Sequence, residues 1–116
     1  MSQEWVIRTL VGLGLKRTDA KVYLFLAKTG PQKARDITNA LKMNKQQLYR
    51  SLKSLRSKGI ASATTEHPAR FSVIPLEKVL DLFVKAKMEE AQSIEQNKDE
   101  LLFIWQSMTT ADSISS

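Results

Sequence analysis

The chain has 116 residues, with 18 Lys and Arg against 12 Asp and Glu, one His and no Cys. This length fits one domain with an appendage, and 42% hydrophobic with 26% charged residues is typical of a globular protein. The absence of Cys excludes disulfides, thiolate zinc sites and a cysteine nucleophile. The N-terminal segment lacks the basic start and apolar run of a signal peptide, and no apolar stretch reaches the ~18 residues of a membrane span. We therefore expect a cytoplasmic protein without a membrane partner.

The net charge of +6 is unevenly distributed along the chain. Residues 1–87 have a balance of +11, and residues 88–116 have a balance of −5. No Asp or Glu occurs between Asp36 and Glu66, whereas six Lys and Arg do. Charge of one sign on one segment is typical of a phosphate-binding surface. The alternative is a solvated face without a partner.

Apolar spacing predicts two helices at the start of the chain. The first covers residues 3–13 and stops at Gly14. The second is predicted to begin at Thr18 as its N-cap and to end before Gly30-Pro31. Its apolar residues cover most of its circumference, so we expect it to lie in the centre of the core.

A helix-turn-helix is predicted next. Residues 33–41 form a short third helix, and a three-residue turn leads to a fourth helix at 45–58. Asn44 and Gln47 are spaced for a capping box at the start of the fourth helix. Its buried stripe consists of Leu48, Leu52 and Leu55.

The apolar period changes after Gly59. Residues 60–64 and 70–74 have strand length and composition, and His67-Pro68 between them indicates a turn. We interpret His67 as a turn residue and residues 60–74 as a β-hairpin wing. The predicted fold is mainly α with a small β-hairpin wing, a winged helix-turn-helix over residues 1–75.

A long C-terminal helix is predicted over residues 76–108, where no Gly or Pro interrupts the chain. Its second half carries a heptad-like seam that predicts a coiled-coil homodimer, parallel or antiparallel. The alternative is a helix that folds back near Ser93. Residues 109–116 are predicted to form a flexible tail. The predicted dimerisation residues are Ile94, Asn97, Leu101, Ile104, Trp105 and Met108.

Several short motifs together resemble a known family. They are Leu13-Gly14-Leu15, Ala20-Lys21-Val22-Tyr23-Leu24, Gly30-Pro31, Leu48-Tyr49, Ser54-Leu55 and Lys58-Gly59-Ile60, with Ala34, Ile37 and Leu52 between them. This pattern, over roughly residues 8–90, resembles the TrmB-like winged-helix regulators of archaea. The resemblance implies a dimeric transcription factor that binds promoter DNA. Larger members carry a C-terminal effector domain for which this chain is too short, so we expect neither sugar sensing nor another small-molecule effector.

The fourth helix is the predicted recognition helix. Its residues advance by ~100° each, so Gln46, Arg50 and Lys53 lie opposite the buried leucines and face the major groove. Arg50 is suited to guanine and Gln46 to adenine. Gln47 either caps the helix or contacts DNA. Tyr49 either packs on the preceding helix or contacts a phosphate. Predicted phosphate contacts are Lys33 and Arg35 on the third helix and Lys45 and Lys53 on the fourth. Arg70, in the wing, is predicted to contact the backbone or a minor groove.

Catalysis is not predicted. The single His has no Cys or His partner, the carboxylates form no evident pair, and no Gly-rich phosphate loop occurs. We expect no metal and no cofactor. The first hypothesis is a sequence-specific homodimeric regulator associated with the nucleoid. The alternatives are a non-specific architectural or chromatin DNA-binding protein and a winged-helix protein-interaction module.

Overall fold

The computed structural model describes residues 2–115, and the side chains of residues 2–110. The chain divides into two units, Met1–Leu80 and Asp81–Ser116. The elements follow in the order α1 (Gln3–Leu13), α2 (Arg17–Thr29), β1 (Gln32–Lys33), α3 (Ala34–Leu41), α4 (Lys45–Ser57), β2 (Ala61–Ala63), β3 (Arg70–Val73) and α5 (Leu76–Ser115). The predicted class, a mainly helical winged helix-turn-helix followed by a long helix, is confirmed.

Helices α1 and α2 pack against each other at the start of the first unit. Ser2 caps α1, and Gly14 ends it with a φ of 124° that favours glycine. The prediction that Thr18 caps α2 is wrong, because Lys16 occupies the N-cap position without a side-chain hydrogen bond. Buried Leu15 and the Arg17–Glu4 contact of 2.7 Å already fix the chain there, so the helix starts before Thr18.

Helices α3 and α4 form the helix-turn-helix. Lys42 ends α3 in the left-handed conformation, with a φ of 53°, and the chain turns within three residues. The capping box is confirmed: the Asn44 Oδ1 atom accepts from the Gln47 backbone N–H at 2.8 Å, and Gln47 Oε1 accepts from the Asn44 N–H at 3.1 Å. These paired bonds satisfy two of the free N–H groups at the start of α4.

The wing is a three-stranded antiparallel sheet in the order β1-β3-β2, where a two-stranded hairpin was predicted. The additional strand pairs Gln32 with Phe71 and Lys33 with Arg70. Lys33 therefore belongs to β1 and is the N-cap of α3, so the prediction that it lies on the third helix is wrong. A two-residue strand has no periodicity of its own, and only its pairing with β3 defines it.

The core of the first unit is formed by one apolar face from each helix. The predicted stripe of α4, Leu48, Leu52 and Leu55, is fully buried. Helix α2 lies in the centre of the core, as predicted, and contacts α1, α3, α4 and β3. Val79 in the first turn of α5 is also buried, so the start of that helix belongs to this core.

The second unit consists of the remainder of α5. The helix continues through Ser93, so a fold-back at that residue is wrong. It also continues to Ser115, beyond the end predicted at Met108. The side chains of residues 111–116, most of the predicted flexible tail, lie outside the described residues, and the flexibility of the tail stays a prediction.

Candidate nucleic-acid interface

Helix α4 presents three different sectors around its axis. With Leu48 as the zero point and ~100° per residue, the outer stripe of Gln46, Arg50 and Lys53 lies at ~140–200°. All three side chains are exposed, as predicted. One flank of this stripe faces the wing, and the other flank faces α2. Each flank borders its own depression on the surface of the first unit.

The flank toward the wing borders a large open groove, which we call the wing groove. It has a volume of about 900 Å³ and lies between the start of α3, one side of α4, and the wing tip. Among the described residues, those lining it include no Asp or Glu. The lining residues are Lys33, Ala34, Arg35, Thr38, Lys45, Tyr49, Arg56, Ala63, Thr64, Thr65, His67, Pro68, Ala69 and Phe71.

Aromatic packing fixes the wall of the wing groove. The Tyr49 and Phe71 rings meet edge to face with centroids 6.3 Å apart, a geometry that stabilises aromatic pairs. Phe71 is buried, whereas Tyr49 is 45% exposed. Tyr49 therefore packs on β3 of the wing and keeps part of its surface available at the groove.

A partly buried hydrogen bond connects the end of β3 to the centre of the core. The Tyr23 hydroxyl donates to the Ile74 carbonyl at 2.8 Å, although the two residues are far apart in the chain. Burial raises the pKa of Tyr23 above its ordinary value of 10.0, because the phenolate is poorly solvated there. The wing is thus attached to α2 as well as to α4.

The flank toward α2 borders a smaller depression of about 160 Å³, which we call the α2 pocket. Helix α2 supplies its side with Lys16, Thr18 and Asp19, and α4 supplies Gln47, Arg50, Ser51 and Ser54. Arg50 therefore lies where the outer stripe meets the α2 pocket. Asp19 is 3% exposed, and its Oδ2 atom has no hydrogen-bond partner among the described residues.

The structure brings most of the predicted DNA-binding residues to one surface of the first unit. Lys33, Arg35, Lys45 and Tyr49 line the wing groove, and Gln47 and Arg50 line the α2 pocket. Lys53 lies beside Tyr49 and Arg56 at a third depression. Gln46 is exposed between the two flanks. Arg70 is exposed and pairs with Lys33 in the sheet, but it does not line the wing groove.

Sequence reasoning missed two groove residues, one arginine and the single histidine. Arg56 faces the wing groove and lies seven positions after Tyr49, a spacing that returns to nearly the same side of a helix. This spacing was the available signal. His67 lies in the predicted turn and also lines the groove. Only the folding of the wing tip over α4 reveals that second role.

Neither a metal centre nor a membrane-spanning helix is found in the part of the chain that the structure describes. Within that part, His, Asp and Glu side chains form no cluster of three suited to a metal ion. No helix between residues 2 and 115 is both long and apolar enough to cross a lipid bilayer.

The fold and this basic surface define the class of protein, a winged helix-turn-helix DNA-binding domain. Residues 10–77 match the family described as the sugar-specific transcriptional regulator TrmB. The chain belongs to this family. It is thus a member of a family of winged-helix DNA-binding transcriptional regulators, and the prediction that it is not an enzyme is confirmed by that membership. The search of the curated proteins found no match.

Several solved structures share the fold at low sequence identity. TrmBL2, described as an archaeal chromatin protein with a novel mode of DNA binding, aligns with a TM-score of 0.83 and 18% identity over 96% of this chain. This chain spans only 43% of the length of TrmBL2. A possible transcriptional regulator from Methanosarcina mazei has a TM-score of 0.65 at 18% identity, covering 86% of this chain and 88% of its own. The ST1889 protein from the thermoacidophilic archaeon Sulfolobus tokodaii has a TM-score of 0.64 at 22% identity, covering 80% of this chain and 99% of its own.

Proposed function

We propose that this chain regulates transcription as a homodimer that binds specific double-stranded DNA sites. In this proposal the outer stripe of α4 lies in the major groove, and the wing, residues 60–74, lies on the backbone or in the minor groove. A DNA partner also implies a position in the cytoplasm on the nucleoid. The observation that carries the proposal is the wing groove, where Lys33, Arg35, Lys45 and Arg56 meet without an acidic neighbour among the described residues.

The size and chemistry of the wing groove fit a DNA strand. Four permanent cations line it, together with the hydroxyls of Thr64 and Thr65, a group suited to donating hydrogen bonds to phosphate oxygens. The outer stripe lies directly beside it on α4, so a backbone held in the groove brings base edges to Gln46 and Arg50. Phosphate contacts fix the register of the protein, and the outer stripe reads the sequence.

Selection of bound sequences from a random DNA pool tests this function. We expect enrichment of a pseudo-palindromic site, since a two-fold symmetric dimer reads two half-sites. Arg50→Ala and Gln46→Ala are expected to relax the sequence preference, each by the ~1–3 kcal/mol that a bidentate base contact contributes. Lys33→Ala is expected to weaken binding to all sequences evenly. Equal losses on all sequences from the first two variants contradict base reading.

The homodimer is proposed from the apolar seam of α5. Ile94, Leu101, Ile104, Trp105 and Met108 are between 46% and 64% exposed. At ~100° per residue they share one side of the helix with Asn97, as a coiled-coil interface requires. Asn97 donates its amide to the Ser93 carbonyl of its own helix at 2.8 Å, so pairing across a dimer requires this side chain to turn.

Sedimentation of two matched variants tests the dimer. Leu101 is 64% exposed in the seam, and Phe103 is 70% exposed on the opposite side of the same helix. Leu101→Asp is expected to yield monomers at micromolar concentration, because it buries an unpaired charge in the seam. Phe103→Asp leaves a seam dimer intact. Equal dissociation by both variants, or a wild-type monomer, contradicts this seam.

An architectural, chromatin-type role is the second candidate. It is favoured by the similarity to TrmBL2, an archaeal chromatin protein, over nearly the whole chain, α5 included. Such a protein uses the same cations without base reading. A ratio of specific to non-specific affinity near one at physiological salt favours it. We do not propose sugar binding, because the family match at residues 10–77 is confined to the winged helix. A protein-interaction module is favoured only if no DNA binds at about 0.1 M salt.

A further inference from the structure

Asp19 is an unpartnered buried carboxylate beside the proposed recognition residues. It lies in the first turn of α2, is 3% exposed, and its Oδ2 atom has no hydrogen-bond partner among the described residues. A buried carboxylate oxygen without a partner is costly, because that atom has lost its hydration without gaining a hydrogen bond. Its position next to the positive end of α2 offsets only part of that cost.

Two cations border the α2 pocket together with Asp19. They are Lys16, in the N-cap position of α2, and Arg50, on α4. Neither forms an ion pair with Asp19 in the structure, whose described pairs are Arg8–Glu4, Arg17–Glu4 and Lys87–Glu90. The pocket of about 160 Å³ separates them and has room for a guanidinium group. Arg50 has a long, flexible side chain and lines the same pocket as Asp19.

Arg50 suits Asp19 better than Lys16 does. The guanidinium is planar and has five donors, so one edge can bind a carboxylate while the other remains free. An ammonium group is compact and strongly hydrated, so Lys16, which is exposed, loses more hydration on entering the pocket than a guanidinium does. The neighbouring wall is also fixed, because Gln47 is held by the capping box and Ser54 accepts from Lys58 at 3.1 Å.

We propose that Asp19 positions Arg50 for DNA reading: its carboxylate accepts from the inner edge of the guanidinium and leaves the outer edge for a base. This proposal rests on the proposed function and assigns Asp19 as a positioning residue that does not touch DNA. A restrained Arg50 reads guanine in one orientation and is kept from pairing with neighbouring phosphates. Asp19 thereby contributes to the choice of sequence and not to overall affinity.

The first experiment measures thermal unfolding of the whole chain without DNA. The proposal has the two side chains pair in solution, so Arg50→Ala, which removes that pair, is expected to lower the melting temperature by about 5 °C. Lys53→Ala, three positions further on the same helix, and Ser51→Ala, which removes a hydroxyl from the same pocket, are the controls and should have little effect. In an Asp19→Asn background, Arg50→Ala should cause no further loss. Equal losses from Arg50→Ala and Lys53→Ala overturn the contact, and a loss from Ser51→Ala alone assigns the carboxylate to that hydroxyl instead.

The second experiment compares binding to a selected site with binding to random DNA. Asp19→Asn should lower the ratio of specific to non-specific affinity by at least about fivefold, at the lower end of one bidentate base contact. Asp36→Asn, which removes the same charge from an exposed position in the first turn of α3, should leave the ratio unchanged. In an Arg50→Ala background, adding Asp19→Asn should cause no further change in the ratio of specific to non-specific affinity.

The outcomes separate this proposal from the proposed function. A wild-type protein without sequence preference overturns sequence-specific regulation, and with it the reading role of Asp19, while the unfolding measurements still decide whether the two side chains pair. If wild type has a sequence preference and Asp19→Asn changes it no more than Asp36→Asn does, only the role of Asp19 is overturned.

Discussion

Replacing Arg56 by Gln tests whether the wing groove holds a phosphate backbone. Arg56 lines the groove together with Lys33, Arg35 and Lys45, yet the periodicity of the recognition helix did not identify it. Each phosphate contact contributes about 0.9 to the slope of log affinity against log salt, so two copies of Arg56 contribute about 1.8. Between 0.05 and 0.2 M salt, the variant is therefore expected to lose roughly 12-fold less affinity than wild type.

Fluorescence anisotropy with a labelled duplex at four or five salt concentrations measures this slope. Lys28→Gln is the matched control, because Lys28 is an exposed cation in the last turn of α2 that does not line the groove. Its removal changes the net charge by the same amount and should leave the slope of log affinity against log salt equal to that of wild type within error. Identical slope changes for both variants refute the reasoning, since they mean that only the total charge matters.

Three further predictions concern stability. Tyr23→Phe removes the hydrogen bond to the Ile74 carbonyl and should cost about 1 kcal/mol, or roughly 4–8 °C in melting temperature. Because burial raises the Tyr23 pKa, the contribution of Tyr23 to stability is complete below pH 10 and is lost as the pH rises through the raised value. Urea unfolding at several alkaline pH values should show this loss in wild type and not in Tyr23→Phe. Asn44→Ala should cost ~1 kcal/mol by denaturant unfolding through loss of the cap. A hydrogen bond from Arg17 lowers the pKa of Glu4 below 4.5, so this contact stabilises the fold above that pH and is lost as pH falls through the lowered value; Glu4→Gln should flatten the acid limb of the stability curve.

Each of these predictions has a contradicting result. An unchanged alkaline limb in Tyr23→Phe, relative to wild type, removes the role assigned to the phenol. An Asn44→Ala variant as stable as wild type shows that solvent caps α4 equally well. A Glu4→Gln curve parallel to wild type between pH 3 and 5 means that the exposed Arg17 contact contributes nothing measurable to folding.

Local patterns predicted the helices and the capping box, because these features depend on neighbours in the sequence. Leu48, Leu52 and Leu55 mark the buried side of α4 through spacing alone. Strand β1 escaped prediction because it exists only through its pairing with β3, which the sequence pattern of Gln32 and Lys33 does not encode. The start of α2 was misjudged for a similar reason, since a contact with Glu4 on another helix already holds Arg17.

The candidate site followed from the sequence in its central stripe but not at its edges. Gln46, Arg50 and Lys53 lie on the side of the helix opposite the buried leucines, so their outward direction could be predicted without knowing any other element. The flanks depend on what packs beside α4, so the sequence did not indicate that Arg56 meets the wing or that Asp19 lies next to Arg50. Sequence periodicity gives the direction of a side chain, and only the fold gives the neighbour in that direction.

The three sectors of α4 limit how this helix can diverge between relatives. Deleting or inserting one residue within Lys45–Ser57 rotates every later side chain by ~100° and exchanges the core, groove and pocket faces at once. A change of length in this segment therefore disrupts all three contacts together. Substitution at Gln46 alters only the outer face and leaves the two flanks intact. New binding preferences are therefore accessible by point mutation at a constant helix length.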